Sequence, residues 1–199
     1  SMGFDVVIHS GTKFLNGHTD LTAGIVVGRS DLIKGVFKTK TRLGGTADAF
    51  MCYLLERGMR TLHARMPIHA SNSSELARRM QEHPEISAVN HPSLESYPDY
   101  EVAKRIVPKG TGMLSFVVKG GDERAMRFVR ALDIIFEATS LGGIESLVSC
   151  PFNTSDIFVP EEDRLEAGIV PGFVRMSVGI EDVDDLWSDI EQALLASQS

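Results

Sequence analysis

One stretch near the start of the chain, Ser10-Gly11-Thr12-Lys13-Phe14-Leu15-Asn16-Gly17-His18-Thr19-Asp20, gathers residue types that could do covalent chemistry. Lys13 follows the apolar run DVVIHS (5–10), which suits a buried strand. A lysine directly after such a strand, flanked by two hydroxyls, is what attachment of a carbonyl cofactor such as pyridoxal phosphate (PLP) requires. The amine must lose its charge to form an imine, and partial desolvation makes that loss easier. On an extended backbone the hydroxyls of Ser10 and Thr12 point the same way and can both reach a phosphate. Spacing alone does not select this chemistry: a surface lysine in a polar loop fits so short a motif better. Thiolate and imidazole chemistry has less support. Cys52 and Cys150 belong to no CxxC pair and read as two reduced core thiols of a cytosolic protein. No two histidines stand at the i, i+4 spacing of a helical zinc site, so no metal is expected.

The elements that would position these residues follow from periodicity. AGIVV (23–27) reads as a second buried strand, and the polar segment between the strands is a loop of the kind on which α/β proteins place chemistry. Residues 49–65 carry apolar side chains at helical spacing through Met51, Leu54, Leu55, Met59 and Leu62. Pro67 marks a break or a fresh N-terminus, after which 71–82 reads as a charged helix ended by His83-Pro84. Beyond it, strands (86–92, 112–118, 173–178 and one starting at 134–136) alternate with helices (100–106, 123–132 and 183–196). Glu181 and Asp182 place negative charge at the start of the last helix, as the macrodipole prefers. The pattern predicts a compact α/β domain over 66–199, whereas 1–65, with two strands, reads as an incomplete α/β layer.

Composition narrows the function classes. With 199 residues the chain can form one domain and a piece of another. A net charge of -7 argues against a duplex nucleic-acid binder. No apolar run reaches about 18 residues, so no membrane span is expected, and the first residues lack the pattern of a signal peptide.

Several motifs in series are more specific than any one. SGTKFLNGHTD followed by LTAGIVVG, then GGTADAFMCYLLERGMRTLHARM, SLGGIESL (140–147) and VRMSVGIEDVDDL (174–186) together resemble the Cys/Met-metabolism PLP-dependent enzymes. That family includes cystathionine γ-synthase, cystathionine γ- and β-lyases, methionine γ-lyase and homoserine sulfhydrylases. The resemblance covers nearly the whole chain. It implies an α/β fold, the C-terminal portion of a PLP-dependent transferase (aspartate aminotransferase-like, fold type I). Residues 1–65 would be a remnant of the large PLP-binding domain and 66–199 the small C-terminal α/β domain. PLP is implied as cofactor, carried by Lys13, with Ser10 and Thr12 at its phosphate. Arg175 matches the arginine that grips the substrate α-carboxylate, a task that suits its planar fork. Ser140 matches a residue that helps to hold the same carboxylate, and Ser155 a Ser or Thr near that arginine. Without the resemblance, Arg175 is equally a surface arginine on an edge strand, and 140–143 a plain turn. The implied function is carbon–sulfur lyase or γ-replacement chemistry on methionine, cystathionine or homoserine-ester substrates. The protein would be a cytoplasmic homo-oligomer with a small-molecule substrate and neither nucleic-acid nor membrane partners.

Three departures qualify the match. Relatives dedicated to cystathionine often carry Glu where Thr139 stands. A glutamate can pair with the distal amine of cystathionine and threonine cannot, which tilts the reading away from a dedicated cystathionine γ-lyase. Many relatives carry His where Asp156 stands, a change the sequence does not explain. Finally, only Ser1-Met2, read as a tag remnant, precedes Gly3, whereas the family's N-terminal half holds the phosphate turn, the stacking ring and the aspartate paired with the pyridinium nitrogen. The expectation is therefore a truncated chain that binds PLP weakly and is inactive alone. The rival readings are a stable non-catalytic module without PLP, and a homoserine-ester sulfhydrylase or synthase rather than a lyase. SLGG and VRMSVG argue against an aminotransferase.

Overall fold

The structure, a computed structural model, describes residues 3–198; the tag remnant expected at Ser1-Met2 lies outside the described residues. The chain divides into two compact units between His63 and Ala64.

The first unit is built on β1 (Val6–Ser10) and β2 (Gly24–Gly28), paired antiparallel from Val6 opposite Gly28 to Ser10 opposite Gly24. Both expected strands form, but they are not buried: Ile8 is 76% and Val27 58% exposed. A two-stranded ribbon buries side chains only when another layer packs on it, and Leu21 is the one buried apolar residue of this unit among the described residues. α1 (Ser30–Leu43) follows and ends at Gly44 in the left-handed region, φ 75°. Asp48 caps α2 (Ala49–Met59), its carboxylate accepting from the amides of Phe50 at 2.8 Å and Met51 at 3.0 Å. The helix expected over 49–65 stops at Met59. The Thr61 amide and hydroxyl both turn back to the Gly58 carbonyl, at 3.2 and 3.0 Å, a local bond that competes with helix continuation. Cys52 lies exposed on α2, so Cys150 is the only core thiol of the two expected.

In the second unit α3 (Leu62–Glu82), which begins just before the division, runs through Pro67 rather than breaking there. The proline removes one amide donor, but Leu76, Ala77 and Met80 further along are fully buried, and that packing holds the helix. Then come β3 (Ile86–Asn90), α4 (Tyr100–Ile106), β4 (Met113–Val118), α5 (Gly121–Arg130), β5 (Phe136–Glu137), β6 (Leu147–Ser149), α6 (Glu161–Glu166), β7 (Phe173–Ser177) and α7 (Val183–Ala196). The sheet order is β3-β4-β7-β6-β5, antiparallel except between β5 and β6. Alternation sorts its faces. Leu114, Phe116 and Val118 of β4 and Val174 and Met176 of β7 join the core with Phe128 of α5 and Leu186, Ile190 and Leu194 of α7. Phe116 meets Phe128 edge-on with ring centres 5.8 Å apart. The other face carries Ser115, Arg175 and Ser149, directly opposite one another across β4, β7 and β6.

Candidate active site

β1 delivers the chain into one π-helical turn, Gly11–Leu15, in which the Asn16 amide donates to the Gly11 carbonyl at 3.1 Å. Turns of this kind are rare and recur at functional sites. Lys13, half-buried, interrupts it at φ -89°, ψ -135°. The turn is tied to the residue entering β2: the Gly11 amide donates to the Ala23 carbonyl at 2.7 Å, and the Ala23 amide donates to the Thr12 hydroxyl at 2.9 Å. The extended backbone expected through Thr12 therefore ends at Ser10, the exposed last residue of β1. The Thr12 hydroxyl proton is directed at the Ala23 carbonyl over a long 3.4 Å. A stronger acceptor such as a phosphate oxygen can take that proton while the accepted bond stays in place. A half-buried lysine on this turn, with one exposed hydroxyl before it and one weakly committed hydroxyl beside it, is a donor set that fits PLP.

Arg175 stands in the middle of β7 on the face away from the core. Its Nη2 donates to the carbonyls of Thr139 at 2.7 Å and Ser140 at 3.1 Å, while its Nε is buried without a partner. Burial pulls the guanidinium below its ordinary pKa, and the Asp156 carboxylate partly restores it. A planar cation with one nitrogen held by carbonyls and a buried donor left over is completed by two oxygens in its plane, the geometry of a carboxylate. Arg175 and Ser140 are thus brought together. Thr139 meets the arginine through its backbone carbonyl, a contact indifferent to its side chain. Ser155 is exposed and donates to Asp156 at 3.1 Å, and no hydrogen bond joins it to Arg175, so the structure does not bring these two expected site residues into contact. Nothing in the structure explains why Asp156 stands where many relatives carry His.

The loop that carries Ser140 is held by residues to which the sequence assigned no part in the site. The Gly142 amide donates to Ser177 Oγ at 2.9 Å. Glu181 accepts from the Ser146 amide at 2.6 Å and hydroxyl at 2.9 Å, and the Gly179 amide donates to the same hydroxyl at 2.8 Å. Glu181 therefore serves this loop rather than the start of α7. Asp182 caps that helix, accepting from the amide of Asp184 at 2.9 Å. Period-two alternation from Arg175 would have placed Ser177 on the same face; nothing local signals Glu181, whose partner is far along the chain. The Lys13 group belongs to the first unit and the Arg175 group to the second. Among the described residues no group of three His, Cys, Asp or Glu could hold a metal ion, and no helix is long and apolar enough to cross a membrane.

Comparison with known proteins places this geometry in context. The family model described as Cys/Met metabolism PLP-dependent enzyme matches residues 1–195. L-methionine γ-lyase of Pseudomonas deceptionensis is 41% identical over 200 residues, covering 98% of this chain and 49% of the relative. Among solved structures, cystathionine γ-lyase from Lactobacillus plantarum complexed with L-serine superposes with a TM-score of 0.92 at 32% identity, over 98% of this chain and 51% of that one. Cystathionine γ-synthase from Xanthomonas oryzae pv. oryzae in complex with cystathionine gives a TM-score of 0.92 at 34% identity, with the same coverage of 98% and 51%. The chain spans about half the length of the curated relatives it matches.

Proposed function

The chain belongs to the Cys/Met-metabolism family of PLP-dependent enzymes, and from that premise we propose that the intact protein is a transsulfuration-type enzyme acting on a sulfur amino acid. It would be a γ-lyase or a γ-replacing synthase, with methionine, cystathionine or a homoserine ester as substrate class. Its fold is the α/β fold type I of PLP-dependent enzymes. The observation that carries the proposal is the buried, unpartnered Nε of Arg175 beside the Thr139 and Ser140 carbonyls, a seat for a substrate carboxylate.

In this reading Lys13 Nζ would hold PLP covalently, and the hydroxyls of Ser10 and Thr12 would serve its phosphate. PLP, when bound, supplies an electron sink for charge developing at the substrate α-carbon. Arg175 fixes the α-carboxylate and so orients the bond to be broken. Lys13 Nζ would be the base that accepts the substrate α-proton and returns it further along the substrate. That transfer would permit loss of a thiol from the γ-carbon, with water then releasing an α-keto acid and ammonia, or, on a homoserine ester, departure of the ester's carboxylate and addition of an incoming thiol to give a thioether. Both outcomes use the same residues.

The reading also makes 1–65 part of a larger PLP-binding domain, 66–199 the small C-terminal domain, and the protein a cytoplasmic homo-oligomer. The exposed apolar side chains of Phe4, Ile8, Phe37 and Phe50 support burial of the first unit against further polypeptide. The two free cysteines suit a reducing compartment. The test is release of thiol and α-keto acid from L-methionine and cystathionine by the intact protein with added PLP. Turnover that Lys13→Ala abolishes supports the proposal; normal turnover in that variant rejects it.

A further inference from the structure

The turn that carries Lys13 rests on a close backbone contact with α2. Asn16, one residue past the turn, is only 1% exposed. Its side-chain amide donates to Asp20 Oδ1 at 2.8 Å, and its carbonyl lies 2.7 Å from His18 Nδ1. The Gly17 amide donates to the Lys13 carbonyl at 2.8 Å, so whatever fixes Asn16 and Gly17 fixes the Lys13 backbone on both sides. The segment is wound tightly enough that Thr19 adopts φ 58°, the one non-glycine residue with positive φ among the described residues. Such a value is a true outlier for a β-branched side chain and marks a conformation imposed by its surroundings.

Those surroundings include Gly58, a buried glycine near the end of α2. A Cβ there would stand 2.8 Å from Asn16 Oδ1, 3.1 Å from its carbonyl carbon and closer still to its carbonyl oxygen. The obstacle is partly backbone, so no side-chain rotation relieves it. Glycine is a poor residue for a helix interior, and here its lack of a side chain is what allows α2 to meet the turn. Gly35 in α1 offers the contrast: a Cβ on it would meet nothing within 4 Å.

We propose that Gly58 and Asn16, with Asp20 behind it, are positioning residues for Lys13: they form the seat that fixes where its amine is presented. The inference rests on the reading of Lys13 as the PLP-linking lysine. Any side chain at Gly58 pushes Asn16 outward, and the movement passes through the Gly17–Lys13 hydrogen bond to the lysine itself.

The experiment is made on the intact protein, with PLP as the probe. The rate of covalent capture at Lys13, trapped by borohydride and localised by peptide mapping, is compared in wild type, Gly35→Ala, Gly58→Ala and Asp20→Ala. The pH midpoint of the bound cofactor's absorbance is followed alongside, a readout that a general loss of stability would not move. Gly35→Ala should match wild type within about twofold. Gly58→Ala should slow capture at Lys13 by about tenfold or more and shift the midpoint. Asp20→Ala, which frees the Asn16 amide without adding bulk, should do the same by about threefold, and it decides the matter if Gly58→Ala does not fold. Capture and midpoint unchanged in the folded variants overturn the seat while leaving Lys13 as the PLP lysine. Failure of wild type itself to react at Lys13 overturns the underlying reading.

Discussion

Replacing Asp189 with alanine should destabilise the second unit by about 3 kcal/mol. Asp189, on α7 and 4% exposed, accepts from the backbone amides of Asp133 at 2.8 Å, Ile134 at 2.9 Å and Ile135 at 3.0 Å, and from the Gln192 side chain at 3.0 Å. Hydrogen bonds to a charged acceptor contribute about 1.5–3 kcal/mol each, so the three backbone bonds amount to at least about 4.5 kcal/mol. Asp133 and Ile134 lie at exposed positions where water can replace the carboxylate; Ile135 is buried and recovers nothing. Crediting that rehydration leaves about 3 kcal/mol. Asparagine keeps one acceptor and should cost about half as much. The assay is urea unfolding, read as a shift in midpoint at constant slope. Burial by itself would raise the Asp189 carboxyl, but its backbone donors, with Gln192, outweigh burial and leave it below its ordinary value. The folded pKa is depressed, so the unfolded chain takes up the proton first. The contribution is complete above the ordinary aspartate pKa of about 3.9 and lost as pH falls through the lower folded value. The gap between wild type and Asp189→Asn should therefore close in strong acid. A cost for Asp189→Ala below about 1 kcal/mol, where three charge-assisted bonds are at stake, or a gap unchanged in acid, refutes this reasoning.

Two further predictions concern the candidate site and the core. Arg175→Ala in the intact enzyme should lower kcat/KM by about 30- to 1,000-fold, since losing a bidentate carboxylate contact costs about 2–4 kcal/mol. Arg175→Lys should recover only part of it, because the ammonium keeps the charge and loses the fork; an effect of Arg175→Ala below about tenfold removes the residue from its role. Burial, with Glu137 and Asp122 nearby, pushes the Cys150 thiol up to about 12, whereas Cys52 is exposed. A thiol reagent should therefore modify Cys52 in the native protein and reach Cys150 only on unfolding, and equal labelling of both contradicts the core placement.

Much of the second unit is legible from periodicity because its elements bury one face. FVRMSV alternates around Val174 and Met176, both fully buried, and the helices over 100–106 and 183–196 begin and end where expected. β6 escapes because three residues cannot display alternation, and its identity as a strand comes from β5 and β7 on either side. α1 carries Leu32, Ile33, Val36 and Phe37 at helical spacing, diluted by Gly35 and a Lys/Thr run. At the site, Lys13 stands out by type and place, while roles for Arg175 and Ser140 arise only from resemblance. The geometry behind the proposed roles, an Arg175 Nη2 held by the Thr139 and Ser140 carbonyls and an Nε buried without a partner, depends on contacts between residues far apart in the chain. The same holds for Glu181, whose charge reads locally as a helix-start feature and in the fold grips Ser146. Pro67 misleads in the opposite sense, since a breaker is overruled by packing further along its helix.

The central claim, that Lys13 is the residue through which this protein holds PLP, is tested most directly by reducing the PLP-loaded intact protein with borohydride and mapping the modified peptide by mass spectrometry. The account predicts a single pyridoxyl group per chain, on the peptide that contains Lys13, and none there in Lys13→Ala. A pyridoxyl group on a different lysine, or label scattered over surface lysines with Lys13 unmodified, would contradict it.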